Sequence, residues 1–187
     1  LSPDNYMEVI PSMLARAKKS ILIENQYIKS TQPDISKLLG SIKKAIVKNP
    51  DLDVRIILGK LFSQKDFEKE KVNIRNILDT YGLKLGENIR YIDTTRFVHC
   101  HNKLIVVDDE KVLVSSQNWS DSAVSKNREA GLLIDYPDLA AYYTSIFESD
   151  WSTAQKKIPK PGRADAGIET VATGNFVTVV PADYEEV

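Results

Sequence analysis

The two histidines of this chain lie in one segment that is rich in other polar, potentially reactive side chains. His99 and His101 are followed by Lys103, while Ser116 and Asn118 come after two short apolar runs. Neutral imidazole is a competent nucleophile at pH 7. An ammonium group can offset negative charge on phosphoryl oxygens, and a hydroxyl and an amide can donate hydrogen bonds to them. Together these groups suit chemistry on an anionic phosphodiester.

Metal binding is not expected at this segment. No carboxylate cluster suited to magnesium accompanies the histidines. The His99-x-His101 pair suggests zinc, but no third or fourth ligand lies near it in sequence, and Cys100 has the opposite strand parity. We therefore expect no metal and no cofactor, with positive charge from the protein in place of a metal ion. Cys100 itself is predicted to be a buried, small apolar residue.

A β-hairpin is predicted to position these polar groups. Residues 104–107 and 112–114 are apolar and mostly β-branched, and three acids at 108–110 separate them. Such a pattern is typical of two strands joined by a turn. The polar residues then fall at the strand ends, where a rigid sheet can present them to a cleft.

Strand alternation sorts the side chains of the hairpin. Residues of equal parity share a face, so His101 and Lys103 are expected to be neighbours, as are Ser116 and Asn118. Asp108 lies an odd number of residues from His101 and would face away on an unbroken strand. We therefore expect an orienting or structural role for Asp108 rather than contact with substrate.

The rest of the chain alternates between helical and extended patterns. One helix is predicted to begin at a start signal in residues 2–4, and others are predicted over 34–48, 64–81 and 137–151. Strands are predicted over 20–28, 54–58, 89–93 and 129–134, and a loop over 119–126. Strands separated by such helices favour an α/β fold, specifically an α/β/α sandwich with a mixed central sheet.

The end of the first predicted strand is unusually polar. Glu24, Asn25 and Gln26 follow its apolar part. Two interpretations stay open. These side chains are satisfied at a strand end, which is slightly favoured, or Asn25 or Gln26 lies at the rim of a cleft.

Length and composition predict one compact domain and a tail. Residues 1–151 have a regular pattern, whereas 152–187 are rich in proline and glycine, with one good strand at 175–180. The compact part contains 21 basic and 21 acidic residues, which argues modestly against nucleic acid as partner. No apolar run approaches the ~20 residues of a membrane span. Because the chain begins with Leu1, we expect it to be a processed or excised piece of a longer protein.

The spacing of the histidine segment resembles a known signature. His101-x-Lys103-x-x-x-x-Asp108 matches the HxKxxxxD motif of the phospholipase D superfamily. The pair Ser116-x-Asn118 fits that family's GSxN element, except that Ser115 occupies the glycine position. If backbone must approach the phosphate closely there, this substitution could reduce activity.

Further likeness extends over roughly residues 5–151, and Glu129 lies where the family has a downstream acid. The resemblance implies that one histidine attacks phosphorus and forms a phosphohistidine, while a second histidine, from a second motif copy, protonates the leaving alcohol. This chain has one copy, and we expect it to be the C-terminal half of a two-motif protein. His99 is rejected as the partner because it would share a strand face with His101. The second half-site is therefore expected from the N-terminal half of the same protein or from a homodimer mate.

The resemblance assigns a role to each candidate residue. His101 would be nucleophile or general acid, Lys103 and Asn118 would bind the phosphoryl oxygens together with Ser116, and Asp108 and Glu129 would support them. The expected activity is that of a phosphodiesterase on phospholipids, with hydrolysis or transfer of the phosphatidyl group. One alternative is a homodimeric endonuclease. The other is a catalytically silent lobe with a structural or partner-binding role.

Overall fold

The computed structural model describes residues 3–160 of the chain, with side-chain surroundings from residue 5 onward. Five helices and six strands follow one another in that part. Their bounds are α1 Pro3–Ala15, β1 Ser20–Asn25, α2 Pro33–Lys48, β2 Asp53–Leu58, α3 Gln64–Tyr81, β3 Ile89–Tyr91, β4 Leu104–Val107, β5 Lys111–Ser115, α4 Asp121–Ser125, β6 Gly131–Asp135 and α5 Pro137–Thr153.

The strands form one mixed sheet in the order β3-β2-β1-β4-β5-β6. β1, β2 and β3 run parallel. β4 pairs antiparallel with β1, β5 with β4, and β6 with β5. The β4–β5 hairpin was predicted and is present. Its turn contains Asp108 and Asp109 at φ values of 60° and 56°. Two successive positive φ angles make a tight turn that matches the twist of the flanking strands.

Helices cover both faces of the sheet. Apolar side chains of α1, α2, α3 and α4 form one core with the β1 face that contains Ile21 and Ile23. Side chains of α5, including Phe147 and Trp151, form a second core against the opposite face, which contains Leu22. This architecture confirms the predicted α/β/α sandwich with a mixed central sheet.

Local signals explain where the helices begin and end. The hydroxyl of Ser63 accepts a hydrogen bond from the amide of Asp66 at 3.1 Å at the start of α3. Gly82 ends the same helix in a left-handed conformation with φ 73°. Pro33 occupies the first turn of α2, where its missing N–H costs no hydrogen bond.

Three local predictions were wrong. β1 ends at Asn25 and does not continue to residue 28. Residues 119–126 are not all loop, since α4 occupies part of them. Residues 99–103 are not a strand, because β4 begins at Leu104.

The chain returns to the sheet after α5. Tyr91 and Gln155 exchange two backbone hydrogen bonds, of 2.9 and 2.7 Å, so residues around 155 add a short bridge beside β3. The strand predicted at 175–180 and most of the predicted tail lie outside the described residues.

Candidate functional site

The strand registers gather the candidate residues at one edge of the sheet. Glu24 near the end of β1 pairs with Leu104 at the start of β4. Leu104 in turn pairs with Val114 near the end of β5, and Ser115 pairs with Gly131 at the start of β6. The segments that follow β1 and β5 and precede β4 and β6 therefore meet. We call this edge the polar edge, and it holds Gln26, His101, Lys103, Ser116, Asn118 and Glu129.

Lys103 lies at the centre of the polar edge and is almost entirely buried. Only 5% of its surface is exposed. Its ammonium donates a hydrogen bond to the backbone carbonyl of His101. Burial lowers the pKa of Lys103, while the charges of Cys100 and Glu129 act in the opposite direction. An ammonium that is desolvated in this way interacts strongly with any anion that reaches it.

His101 is exposed, and its backbone carbonyl accepts the hydrogen bond from the lysine. Its ring lies 5.7 Å from the ring of His99, centroid to centroid, at an angle of 49°. The parity argument against His99 assumed a strand, and that premise is wrong, since the two residues lie in an irregular segment. Burial lowers the pKa of His99, and the neighbouring His101 and Lys60 add to the effect, which favours a neutral ring.

Ser116 and Glu129 are brought together by the β5–β6 pairing. The Ser116 hydroxyl donates to the Glu129 carboxylate and accepts from the amide of Ala130 at 3.0 Å. The other carboxylate oxygen of Glu129 accepts from the Asn127 side chain at 3.1 Å. Glu129 thereby orients the serine, and its charge also acts on Lys103.

Asn118 lies beside Gln26, in a long hydrogen bond of 3.4 Å from Asn118 Nδ2 to Gln26 Oε1. Asn118 Oδ1 is buried and has no partner among the described residues. Gln26 therefore joins the polar edge, as the cleft-rim interpretation of the first strand predicted. The satisfied strand-end interpretation does not fit Asn25, which is 2% exposed and whose Oδ1 has no described partner.

Asp108 does not join the polar edge. It lies at the opposite end of β4, where its carboxylate accepts backbone hydrogen bonds from Lys18, Lys19 and Ser20 at 2.6 to 3.0 Å. Through them the hairpin turn fixes the segment between α1 and β1. This position supports the structural role that strand parity suggested and removes Asp108 from the residues that can contact a substrate.

Sequence reasoning missed a network that holds the histidine segment. Asn102 donates a hydrogen bond to the Glu24 carboxylate and accepts one from the Cys100 thiol at 2.9 Å. Cys100 is 3% exposed, so the predicted burial is confirmed. Burial raises the pKa of Glu24 to about 7, the Asn102 hydrogen bond lowers it by a smaller amount, and the charge of Asp150 raises it slightly. The polar end of β1 was the available signal.

A cleft of about 530 Å³ opens beside the polar edge. It lies between the segments that follow β1 and β2 and the first half of α3. Gln26 and Phe62 are among its lining residues. Because Gln26 contacts Asn118 and the Phe62 ring lies 5.2 Å from the His99 ring, the cleft is continuous with the polar edge.

Within the described residues, no group of three or more His, Cys, Asp or Glu side chains could hold a metal ion. None of the helices there is both long and apolar enough to cross a membrane.

The chain was compared with known proteins. The family model described as "Cardiolipin synthase, PLD-like domain" matches residues 10–151. The mitochondrial cardiolipin hydrolase of Danio rerio is 30% identical over 71 residues, which cover 38% of this chain and 31% of that protein. The matched stretch therefore spans about a third of the relative's length.

Solved structures have the same fold. The phospholipase D family member Nuc from Salmonella typhimurium superposes with a TM-score of 0.60 and 23% identity, covering 79% of this chain and 88% of that one. NucT from Helicobacter pylori superposes with a TM-score of 0.61 and 19% identity, covering 82% of this chain and 91% of that one. Phosphatidylserine synthase from Haemophilus influenzae superposes with a TM-score of 0.66 and 17% identity, covering 87% of this chain and 39% of that one.

Proposed function

This chain belongs to the phospholipase D-like domain family, and from that premise we propose that it is one half-site of a metal-independent phosphodiesterase. The observation on which the proposal rests is the polar edge. There the backbone carbonyl of the exposed His101 accepts a hydrogen bond from the buried ammonium of Lys103, at the strand ends where β5 and β6 also present polar side chains. A nucleophile beside a desolvated positive charge suits attack on an anionic phosphorus centre.

In this mechanism His101 acts on the scissile bond as nucleophile or as general acid. As nucleophile, an imidazole nitrogen forms a bond to phosphorus while the bond to the leaving alcohol breaks, and the histidine of the second half-site gives that alcohol a proton. Water or an acceptor alcohol then takes the phosphoryl group and releases the imidazole. Lys103 and Asn118 stabilise charge on the non-bridging oxygens. The Ser116 hydroxyl donates its one proton to Glu129 in this structure and would turn it to the same oxygens when substrate binds.

The second histidine is assigned to another half-site, either the N-terminal half of the same protein or a homodimer mate. An acid and a nucleophile must approach phosphorus from opposite sides, along the line of the attacking and leaving groups. His99 lies in the same backbone segment as His101, and its ring contacts the Phe62 ring on the cleft side. The compact domain over 1–151 would then be half of the active unit, with residues 152–187 as its tail.

We assign a phospholipid as substrate, cleaved by hydrolysis or with transfer of the phosphatidyl group. The family description names cardiolipin synthase, and the Danio rerio relative is named for cardiolipin hydrolysis. The equal numbers of basic and acidic residues in 1–151 agree with a lipid better than with a nucleic acid.

The test measures the rate at which the protein turns over a phospholipid in the presence of excess metal chelator. The reaction is then quenched without acid, and the phosphorylated residues of the protein are mapped. We expect unchanged turnover in chelator and an acid-labile phosphohistidine in one of the two half-sites. Loss of turnover in chelator, or turnover without any phosphohistidine, would contradict the mechanism. Cleavage of an oligonucleotide with no action on phospholipids would contradict the substrate.

A further inference from the structure

The cleft beside the polar edge has a charge pattern that the proposed chemistry does not use. Three of its lining side chains are lysines, Lys29, Lys60 and Lys69. In the described part of the chain none of the three forms an ion pair with an acid. Lys29 and Lys60 instead lie over the aromatic rings of Tyr27 and Phe62, each 5.3 Å from the ring centroid.

The two acids of the cleft are engaged elsewhere. Glu70 accepts hydrogen bonds from the hydroxyl of Tyr91 at 2.6 Å and from Asn73 at 3.1 Å. Burial raises the pKa of Glu70, while these two hydrogen bonds act in the opposite direction. Asp66 accepts from Ser63 at 2.6 Å at the start of α3. The lining therefore has three ammonium groups and two carboxylates, and both carboxylates already accept hydrogen bonds.

The position of the cleft relates it to the reacting phosphodiester. It adjoins the polar edge on two sides, through Gln26 beside Asn118 and through Phe62 beside His99. Lys60 is close enough to contribute to the lowered pKa of His99. Ring contacts from His101 to His99 at 5.7 Å and from His99 to Phe62 at 5.2 Å lead from the proposed nucleophile to this space.

From these observations we infer that the cleft is a subsite for a second phosphate group, so that the protein selects phospholipids with two phosphates over those with one. Lysines bind phosphate as point charges, and three of them around an open cleft of this volume suit an anion on a flexible linker. The exposed ring of Phe62, 62% accessible, gives the glycerol linker an apolar surface. This inference rests on the proposed function, since it presupposes a lipid diester at His101.

The experiment compares two lipids in identical mixed micelles, cardiolipin with two phosphates and phosphatidylglycerol with one. The protein is the full-length form that supplies both half-sites. We expect the Lys29→Ala/Lys60→Ala/Lys69→Ala variant to raise KM for cardiolipin at least tenfold and KM for phosphatidylglycerol less than twofold. The effect should shrink at high ionic strength, because exposed charges are screened.

The matched control removes three exposed lysines that do not line the cleft, as Lys44→Ala/Lys48→Ala/Lys65→Ala. It should leave both KM values unchanged. The single charge reversal Lys69→Glu, at an exposed position, guards against misfolding of the triple variant and should shift KM in the same direction.

Equal effects of the cleft variant on both lipids, or no effect on either, would overturn the subsite. The same holds if the variant impairs binding of an oligonucleotide but not of cardiolipin. These results differ from failure of the proposed function, in which His101→Ala retains the wild-type rate. A wild-type protein that is inactive on both lipids would overturn both proposals together.

Discussion

At the scale of single residues, the polar edge and its surroundings contain polar groups that are buried without a hydrogen-bond or charge partner for every polar atom. Lys103 is desolvated, and Asn118 Oδ1 and Glu24 Oε1 have no partner in the described part of the chain. Buried polar groups of this kind cost stability and are concentrated at functional sites. Glu24 gives the clearest measurable consequence.

The ionisation of Glu24 should make stability depend on pH. Its folded pKa of about 7 lies above the ordinary value of 4.5. Its contribution to stability is therefore fully present below pH 4.5 and is lost as the pH rises through about 7. The shift corresponds to about 3 kcal/mol. Relative to Glu24→Gln, the wild type should lose about that free energy of unfolding between pH 4.5 and pH 8, measured by urea denaturation.

An exposed apolar residue provides the comparison. Because Val47→Ala, at a position 72% exposed, changes no ionisable group, it should leave the pH dependence of the wild type unchanged. A wild-type minus Glu24→Gln difference that stays constant over this range would contradict the burial of an ionisable carboxyl at residue 24.

Motif spacing predicted which residue types would meet, but not all of their surroundings. His101, Lys103, Ser116 and Asn118 follow from local sequence. The network from Glu24 through Asn102 to Cys100 joins residues about 78 positions apart, and only the β1–β4 register brings them together. Strand parity also failed for His99, because a segment that precedes a strand need not share its alternation.

At the scale of elements, the polar edge is formed by strand ends and by the close packing of the segments beyond them. Gly59 follows β2 and donates its amide to the carbonyl of Gln26 at 3.1 Å. A side chain at this position would lie 2.9 Å from that carbonyl oxygen and 3.2 Å from the carbonyl oxygen of Cys100. The histidine segment therefore packs directly on the end of β2.

Gly59→Ala should displace this segment. Because both contacts are with backbone atoms, we expect a loss of about 1–3 kcal/mol of stability and a fall in kcat/KM of more than ~10-fold, since small misplacements of catalytic groups are costly. Gly40→Ala is the matched control. It lies in α2 with nothing within 4 Å of the added carbon, so it should stabilise by about 0.5–1 kcal/mol without changing activity. Full activity of Gly59→Ala would contradict the packing.

Asp108 acts at the other end of the hairpin, so its removal should affect stability rather than catalysis. Asn accepts fewer of the hydrogen bonds from residues 18–20 and tolerates the positive φ, while Gly accepts none. We expect Asp108→Gly to lose about 1–3 kcal/mol in urea denaturation and Asp108→Asn less. The kcat of either folded variant should stay within twofold of the wild type. A tenfold loss of kcat with unchanged stability would instead place Asp108 in the chemistry.

The sequence predicted most elements because their apolar periodicity is strong, as in α2 and in the β4–β5 hairpin. It failed where tertiary contacts decide. β1 ends at Asn25 because β4 pairs with it only as far as Glu24 and β2 only as far as Asn25. The short helix α4 forms in a polar segment, where Val124 and Ala123 are buried against the core.

At the scale of the whole molecule, residues 3–160 present the polar edge with His101 exposed at its surface. An exposed His101 beside an open cleft is what a half-site needs if a second imidazole is to approach from another half. Neither the order of the strands nor the lysines of the cleft could be read from local sequence, because both depend on how distant segments assemble.

The most direct measurement is the steady-state rate of phosphodiester cleavage by His101→Ala beside that of His99→Ala, each in the full-length protein. His99 is the matched neighbour, with its ring 5.7 Å away. The account predicts that His101→Ala loses at least ~10³-fold in kcat while His99→Ala retains the greater part of the wild-type rate. A His101→Ala protein with the full wild-type rate, or one whose loss is matched by His99→Ala, would contradict it.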